Sequence, residues 1–195
     1  MYSYDKIKEV IEGKGYAFFT GNYNINLIGV RNPDNVNEWN DTFLLVYQIG
    51  STKVVHEMND FTTDPGSYYL QKKFLSPKGC AILAEGQYRG VWKLGMHGKK
   101  PYPALVQLGG PVTVYRDRDK DNELDFNPDS KEKGWFGINL HHGYDSADIN
   151  WNSAGCQVFK YSSDLNKVLS VVRTSKNLYG NSFTYTLLNE RDFKS

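Results

Sequence analysis

The chain has 195 residues, of which 39% are hydrophobic, and this length suits one compact domain with its own core. Its 23 Lys and Arg residues balance 22 Asp and Glu residues, so it lacks the basic excess typical of proteins that neutralise nucleic-acid phosphates. It has no apolar run near the ~20 residues of a membrane-spanning helix, and its two cysteines are too few for a disulfide framework. We therefore expect a single domain over 1–195, with no nucleic-acid partner and no membrane span.

The first part of the chain is predicted to begin with a helix and to continue as strands. Ser3 is a candidate N-cap, and Gly13 and Gly15 are positioned to end the helix. The high content of tyrosine and glycine, 14 and 18 residues, favours a sheet-dominated fold. Apolar patterning predicts the first strands over 24–30, 42–48 and 52–58.

The rest of the chain is predicted to form further strands, separated by turns. The turn Asp64-Pro65-Gly66 is expected to lead into an extended segment at 68–70. The segments 95–100 and 116–133 are expected to be exposed loops, and a second helix is expected to begin at a cap, Asp164. The remaining strands are expected at 80–83, 104–107, 112–115, 136–140, 157–159 and 182–188. Nine or ten strands against two helices predict a mainly β fold with one or two peripheral helices.

The segment 137–159 combines the groups that cysteine catalysis needs, namely a thiol, a base and donors for an oxyanion. His141 is expected at the end of an apolar strand, where a rigid element fixes it. Cys156 follows three small residues, beginning with Ser153, that allow a turn to approach closely. The backbone N–H groups of Gly155 and Cys156 are candidate oxyanion donors, and Ser153 is expected to orient the turn through hydrogen bonds.

These pieces resemble the catalytic domain of the YkuD-type L,D-transpeptidases. That family carries a strand ending in I-x-I-H-G, a loop, and then S-x-G-C followed by an apolar residue. Here the pieces read Ile138-Asn139-Leu140-His141-His142-Gly143 and Ser153-Ala154-Gly155-Cys156-Gln157-Val158. The resemblance implies a β-sandwich in which Cys156 is the acylated nucleophile and His141 the base, with no cofactor.

The resemblance is specific over 134–159 and only suggestive over about 60–115, where Asp64-Pro65-Gly66 or Ser76-Pro77-Lys78-Gly79 is similar to a T-P-x-G turn of the family. It implies a catalytic core over 61–195 and an N-terminal elaboration over 1–60. Three positions depart from the family: Ala154 replaces a common His, Gln157 a usual apolar residue, and Val158 a frequent Arg. They indicate an offshoot with a different substrate preference.

Two adjacent histidines compete for the role of base. Because neighbouring residues on a strand point to opposite faces, we expect only one of them to face Cys156. The strand phase favours His141, and His142 is the alternative base. The candidate substrate contacts are His97, Tyr144 and Trp151.

A separate pattern, D-R-D-K-D-N-E-L-D over 117–125, is similar to a calcium-binding loop. Its carboxylates belong to Asp117, Asp119, Asp121 and Asp125. Interleaved cations, and Pro128 at the position of the bidentate Glu, favour a solvated loop that neutralises itself. Zinc is disfavoured too, because its sites usually show close-spaced ligand pairs and only His141 and His142 are close here. We therefore expect no bound metal.

The resemblance predicts a cysteine-dependent enzyme that acts on peptidoglycan stem peptides through a Cys156 thioester, as an L,D-transpeptidase or as an L,D-carboxypeptidase or endopeptidase. One alternative is a non-catalytic module on the same fold that binds cell wall or belongs to a virion. Another is a cysteine peptidase or amidase with a different substrate. The N-terminus lacks the apolar core of a signal peptide, so we expect action at the cell wall after phage-encoded or other non-standard delivery.

Overall fold

The computed structural model describes residues 1–32 and 34–194, and in these ranges the chain forms eleven strands and two α-helices. The strands are β1 (Asn26–Arg31), β2 (Asp41–Ile49), β3 (Thr52–Thr62), β4 (Cys80–Leu83), β5 (Gly86–His97), β6 (Tyr102–Gln107), β7 (Val112–Asp117), β8 (Glu132–Gly134), β9 (Leu140–His142), β10 (Gln157–Phe159) and β11 (Phe183–Asn189). The helices are α1 (Tyr4–Gly13) and α2 (Ser162–Tyr179). The prediction of a mainly β fold with two peripheral helices is confirmed. Neither these helices nor any shorter one in the described ranges has the length and apolar character needed to cross a bilayer.

Eight of the strands close into one barrel-like sheet in the order β1-β11-β5-β6-β9-β10-β3-β2, with β2 pairing back onto β1. The pairs β1–β11 and β9–β10 are parallel, and the other pairs of this sheet are antiparallel. The remaining strands form a small antiparallel sheet in the order β4-β7-β8. This pairing does not confirm a two-layer sandwich. The boundary expected after residue 60 lies inside β3, and β1 to β3 all belong to the closed sheet.

Helix α1 forms where the sequence predicts it and covers one outer face of the closed sheet. The hydroxyl of Ser3 caps it by accepting a hydrogen bond from the Lys6 N–H at 3.2 Å. Ile7 and Ile11 lie one turn apart on the same face and are fully buried against a cluster that includes Ile28 of β1. Burying each such side chain stabilises the fold by about 1.5–3 kcal/mol.

Aromatic side chains fill the interior of the closed sheet. Phe43, Phe61 and Phe159 pack with ring centroids 4.7 to 5.2 Å apart, and Tyr185 stacks above Phe43 at 6.5 Å. Trp92 is fully buried, and its indole N–H donates to the Ile138 carbonyl at 2.9 Å. This bond anchors the segment that leads into β9 to the core.

The segment before β9 is not the strand that was expected over 136–140. The N–H groups of Phe136 and Ile138 both donate to the side-chain oxygen of Gln107, at 3.2 and 3.0 Å, and not to a neighbouring strand. Gly137 lies between them with φ +70°, a conformation that interrupts an extended chain. As a result β9 begins only at Leu140 and contains both histidines.

Other boundaries also differ from the sequence prediction. The segment 116–133 is not all loop, because β7 extends to Asp117 and β8 begins at Glu132. Residues 68–70 belong to a π-helical turn, Tyr68–Lys72, and are not extended. Residues 95–97 belong to β5, because His97 still pairs with Tyr102 of β6. Helix α2 begins at Ser162 with no side-chain cap, so Asp164 lies in its first turn, where a negative charge favours the helix dipole.

Candidate functional site

The end of β9, the β5–β6 hairpin and the turn before β10 meet around a cleft of about 730 Å³. The cleft brings together every predicted catalytic side chain except Ser153, and every predicted substrate contact. Its lining includes His97, Tyr102, His141, His142, Tyr144, Trp151 and Cys156. These residues come from three separate stretches of the chain, so their meeting depends on the tertiary fold.

The turn that carries Cys156 is held by Ser153. The buried Ser153 hydroxyl donates to the Cys156 carbonyl at 2.8 Å and accepts the Gly155 N–H at 3.1 Å. The Ser153 carbonyl accepts the Gly66 N–H at 2.9 Å, which ties the turn to Asp64-Pro65-Gly66. Gly155 has φ +116°, and a Cβ there would collide with the Ala81 carbonyl. The S-A-G-C turn therefore needs both its serine and its glycine.

These bonds distinguish the two expected oxyanion donors. The Gly155 N–H is committed to the Ser153 hydroxyl, so it would have to leave that partner to reach an oxyanion. The Cys156 N–H is the donor of this turn that Ser153 does not engage.

The Cys156 thiol is neutral in this environment. It is half-buried, its Sγ donates to the Gly137 carbonyl at 3.5 Å, and it accepts the Asn139 N–H at the same distance. Burial raises the pKa of Cys156 to about 11, and the Asn139 N–H opposes this only in part. The resting site therefore holds a thiol and not a thiolate. The second cysteine, Cys80, is also a free thiol, buried in β4.

His141 is buried and neutral. Burial is the main cause that lowers its pKa to about 3; the charges of His97 and His142 contribute, and the hydrogen bond to the His142 backbone opposes the shift. Its Nδ1 lies 2.9 Å from the His142 carbonyl. Because a carbonyl only accepts, this contact assigns the proton to Nδ1 and leaves the lone pair on Nε2. The tautomer is the one a general base requires.

His97 stacks on His141, with ring centroids 4.1 Å apart and an interplanar angle of 13°. The Asn139 amide donates to His97 Nδ1 at 3.0 Å, and its oxygen accepts the Gln107 N–H at 2.9 Å. Sequence reasoning missed Asn139, which contacts both Cys156 through its backbone and His97 through its side chain. The one signal for it was a polar residue between two apolar ones, Ile138 and Leu140.

Both histidines of β9 line the cleft together with Cys156, although strand alternation predicted that only one would. The strand pairs with β6 at Leu140 alone, so on that side no strand covers the two histidines, which pair with β10 on the other side. The Tyr102 hydroxyl donates to the His142 carbonyl at 3.1 Å and lies 3.3 Å from His141 Nδ1. Sequence reasoning did not assign this role to Tyr102.

Gln157, which departs from the resembled family, has a structural role. It is fully buried, its amide donates to the Thr63 carbonyl at 3.1 Å, and its oxygen accepts the Tyr185 hydroxyl at 2.7 Å. These bonds fix the residue after Cys156 to the core of the closed sheet.

The rim of the cleft is aromatic and basic. Tyr144 and Trp151 are 79% and 64% exposed, and Lys99 and Lys100 lie on the opposite hairpin. Trp151 also lines a neighbouring groove of about 380 Å³. A ligand could therefore extend from the cleft across Trp151.

The acidic loop forms a cluster of its own. Ligand oxygens of Asp117, Asp119 and Asp125 lie within 4.8 Å of one another, whereas Asp121 caps the Glu123 N–H at 2.8 Å. Within the described residues, the cleft histidines and Cys156 do not form such a group.

A comparison with models of known protein families, with curated proteins and with solved structures found no match for this chain. The resemblance to L,D-transpeptidases therefore rests on the residues quoted from the sequence.

Proposed function

We propose that this chain is a cysteine-dependent enzyme of the L,D-transpeptidase type, which acts on peptidoglycan stem peptides through a thioester on Cys156. The observation that carries the proposal is that Cys156, His141 and His142 line one cleft, with His141 in the tautomer of a base. The L,D-transpeptidase-like sandwich and action at the cell wall belong to the same proposal.

The reaction begins with a proton transfer from the Cys156 thiol to His141 Nε2 as the sulfur attacks an amide carbonyl. The Cys156 N–H stabilises the oxyanion. The C–N bond then breaks, and the leaving amine takes the proton from His141. Water or an acceptor amine attacks the thioester in the second step and releases the product, which regenerates the thiol.

The resting pKa values require the proton transfer to accompany the attack. With a thiol pKa of about 11 and an imidazole pKa of about 3, the proton stays on the sulfur in the resting enzyme, and a thiolate–imidazolium pair does not form. Substrate binding has to supply the remaining driving force, through the oxyanion donor and through exclusion of water.

The cleft rim suits the chemistry of stem peptides. Exposed aromatic rings such as Tyr144 and Trp151 can pack against sugar or peptide. Lys99 and Lys100 place two cations where the carboxylates of a stem peptide can pair with them. They would compensate for the Arg that Val158 replaces.

The test is turnover of purified stem peptides and peptidoglycan, followed by mass spectrometry of the products. Cys156→Ser is expected to abolish turnover, and His141→Ala to reduce it about 10²–10⁴-fold. Cys80→Ala is the matched control, because it removes the other thiol and should retain turnover. Incubation with a carbapenem should give a covalent adduct on Cys156. Wild-type protein that neither turns over these substrates nor forms the adduct would refute the proposal.

A non-catalytic binding module is the second candidate, and the neutral, unactivated thiol of Cys156 is the observation that favours it. It predicts that wild-type and Cys156→Ser proteins bind peptidoglycan equally and that neither changes it. Turnover of protein substrates such as casein, but not of stem peptides, would instead indicate a peptidase with another substrate.

A further inference from the structure

The loop between β7 and β8 carries the acidic cluster, well separated in sequence from the His–Cys segment. Asp117 is the last residue of β7, and oxygens of Asp119 and Asp125 approach it within 4.8 Å. Acidic clusters of this kind are common on protein surfaces, so the proximity of the carboxylates by itself assigns no ligand.

Asp117 provides a second and independent observation. Its side chain is only 1% exposed, and its Oδ1 is buried with no hydrogen-bond partner among the described residues. The other oxygen, Oδ2, has one long contact to the Asp125 N–H at 3.4 Å. The side-chain oxygen of Asn122 in the same loop is also buried and unpartnered. Buried oxygens without partners are costly, and natural proteins satisfy nearly all of them.

The basic residues of the loop do not neutralise the cluster. Arg116 donates to Glu132 at 2.9 Å and to the Gly79 carbonyl at 3.2 Å, and Arg118 donates to the Lys78 carbonyl at 3.0 Å. The ammonium of Lys120 lies 5.1 Å from the centre of the Phe74 ring. Within the part of the chain that the structure describes, no ion pair involves Asp117, Asp119 or Asp125. The self-neutralised loop expected from the sequence is therefore not formed.

We propose that Asp117, Asp119 and Asp125 bind a calcium ion, with the buried carboxylate of Asp117 as the innermost ligand. An all-oxygen donor set selects a hard cation, and Ca²⁺ binds oxygens at about 2.3–2.6 Å with flexible geometry. Two ligands on opposite sides of such an ion lie up to about 4.8–5 Å apart, so the three oxygens can share one ion with little rearrangement. Mg²⁺ would need them within about 4.2 Å and in a stricter octahedron.

The site has room for further ligands and a path to solvent. A groove of about 290 Å³ lies at the open side of the cluster and is lined by Asp119, Asp125 and Asp129 together with Arg116 and Arg118. Both guanidinium groups donate to partners outside the cluster. Asp129 lines the same groove, although its carboxylate is not one of the three that lie within 4.8 Å of one another.

Electrostatics in the absence of the ion are unfavourable. The carboxylate oxygens of Asp117, Asp119 and Asp125 lie within 4.8 Å of one another, so their negative charges repel. A bound divalent cation removes this repulsion. Since the site joins β7 to β8, the ion would stabilise the small sheet, independently of any reaction at Cys156.

The test is thermal unfolding of the full chain after EDTA treatment, with and without 1 mM CaCl₂. For a Kd of about 10 µM, calcium should raise Tm by roughly 5–10 °C. Asp119→Asn, at an exposed ligand, should lose most of this shift. Asp34→Asn, at an exposed aspartate in the β1–β2 connection, is the matched control and should keep it.

Asp117→Asn should differ from the wild type in opposite directions in the two conditions. Without calcium it should unfold at a higher temperature than the wild type, because a buried, repelled charge is removed. Calcium should not raise its Tm, so with calcium it should unfold at a lower temperature than the wild type. Tb³⁺ luminescence, excited through nearby tyrosine, should be lost in the same variants. The proposal is overturned if wild-type protein responds to neither Ca²⁺ nor Tb³⁺, if Asp119→Asn responds fully, or if Mg²⁺ gives an equal shift.

Discussion

Alkylation of Cys156 by iodoacetamide should report a neutral resting thiol. Burial raises the pKa of this thiol to about 11, against about 8.5 for an exposed cysteine. The thiolate fraction at pH 7 is then lower by a factor of about 300. A thiolate of higher pKa is intrinsically more nucleophilic, with a Brønsted coefficient of about 0.4–0.5, which recovers roughly tenfold. We therefore expect labelling about 20- to 30-fold slower than that of a free cysteine peptide.

The pH dependence is the sharper part of the same prediction. The rate should rise about tenfold per pH unit from pH 7 to 10, because each unit raises the thiolate fraction tenfold. The assay is intact-protein mass spectrometry with the label mapped to Cys156, and circular dichroism verifies that the fold persists. Cys80, whose pKa burial raises to about 12, is the internal control and should label more slowly still.

A His141→Ala variant separates the resting state from the reaction. Because His141 is neutral and does not form an ion pair with the thiol, its removal should change the labelling rate at most a few-fold while greatly reducing turnover. A labelling rate that reaches a plateau below pH 8, and falls steeply in His141→Ala, would refute the neutral pair. It would show a thiolate–imidazolium pair in its place.

Three further predictions concern stability. Gly155→Ala places a side chain at φ +116° against the Ala81 carbonyl, so it should lower the free energy of unfolding in urea by at least about 2–3 kcal/mol and abolish turnover. An unchanged urea midpoint would contradict the close approach. Arg31→Ala removes the buried guanidinium that pairs with Asp64 at 2.9 Å and Glu85 at 2.8 Å. It should lower the free energy of unfolding by about 3–5 kcal/mol, measured in urea. A loss below about 1 kcal/mol would show that the carboxylates find other partners. The pKa of His141 is about 3 in the folded state and about 6.5 in the unfolded state. Between these values the unfolded state binds more protons than the folded state, so the free energy of unfolding falls as the pH drops through this range. Between pH 7 and 5 the loss from this group should be about 2 kcal/mol, measured as the difference between wild type and His141→Phe; equal pH dependence in the two proteins would refute it.

Local sequence patterns predicted many of the elements. Helix α1 and most strands of the closed sheet follow from apolar periodicity and from caps such as Ser3. The prediction of a strand over 136–140 was wrong because the distant side chain of Gln107 accepts hydrogen bonds from the N–H groups that a strand would use. No local pattern identifies such a competitor, and none predicts that β1 and β2 close the sheet with β11.

The candidate site could be predicted in part from the sequence. The spacing of His141 and Cys156 pointed to one cleft, and the candidate contacts His97, Tyr144 and Trp151 line it. Asn139 and Tyr102 could not be assigned, because their roles depend on the register of the β5–β6 hairpin beside β9. The grouping of the seven cleft residues named above and the stacking of His97 on His141 likewise depend on contacts between distant segments.

The sequence by itself determined the chemical groups of this protein: a cysteine after a small-residue turn, two adjacent histidines, and an alternating run of aspartates. The tertiary structure decided their charge states. Packing in the closed sheet buries Cys156 and His141 enough to hold both neutral, and it leaves Asp117 buried with an unpartnered oxygen while Arg116 and Arg118 bond elsewhere. Protonation and metal affinity depend on desolvation and on the distances between charges, and these arise only when remote parts of the chain are packed together.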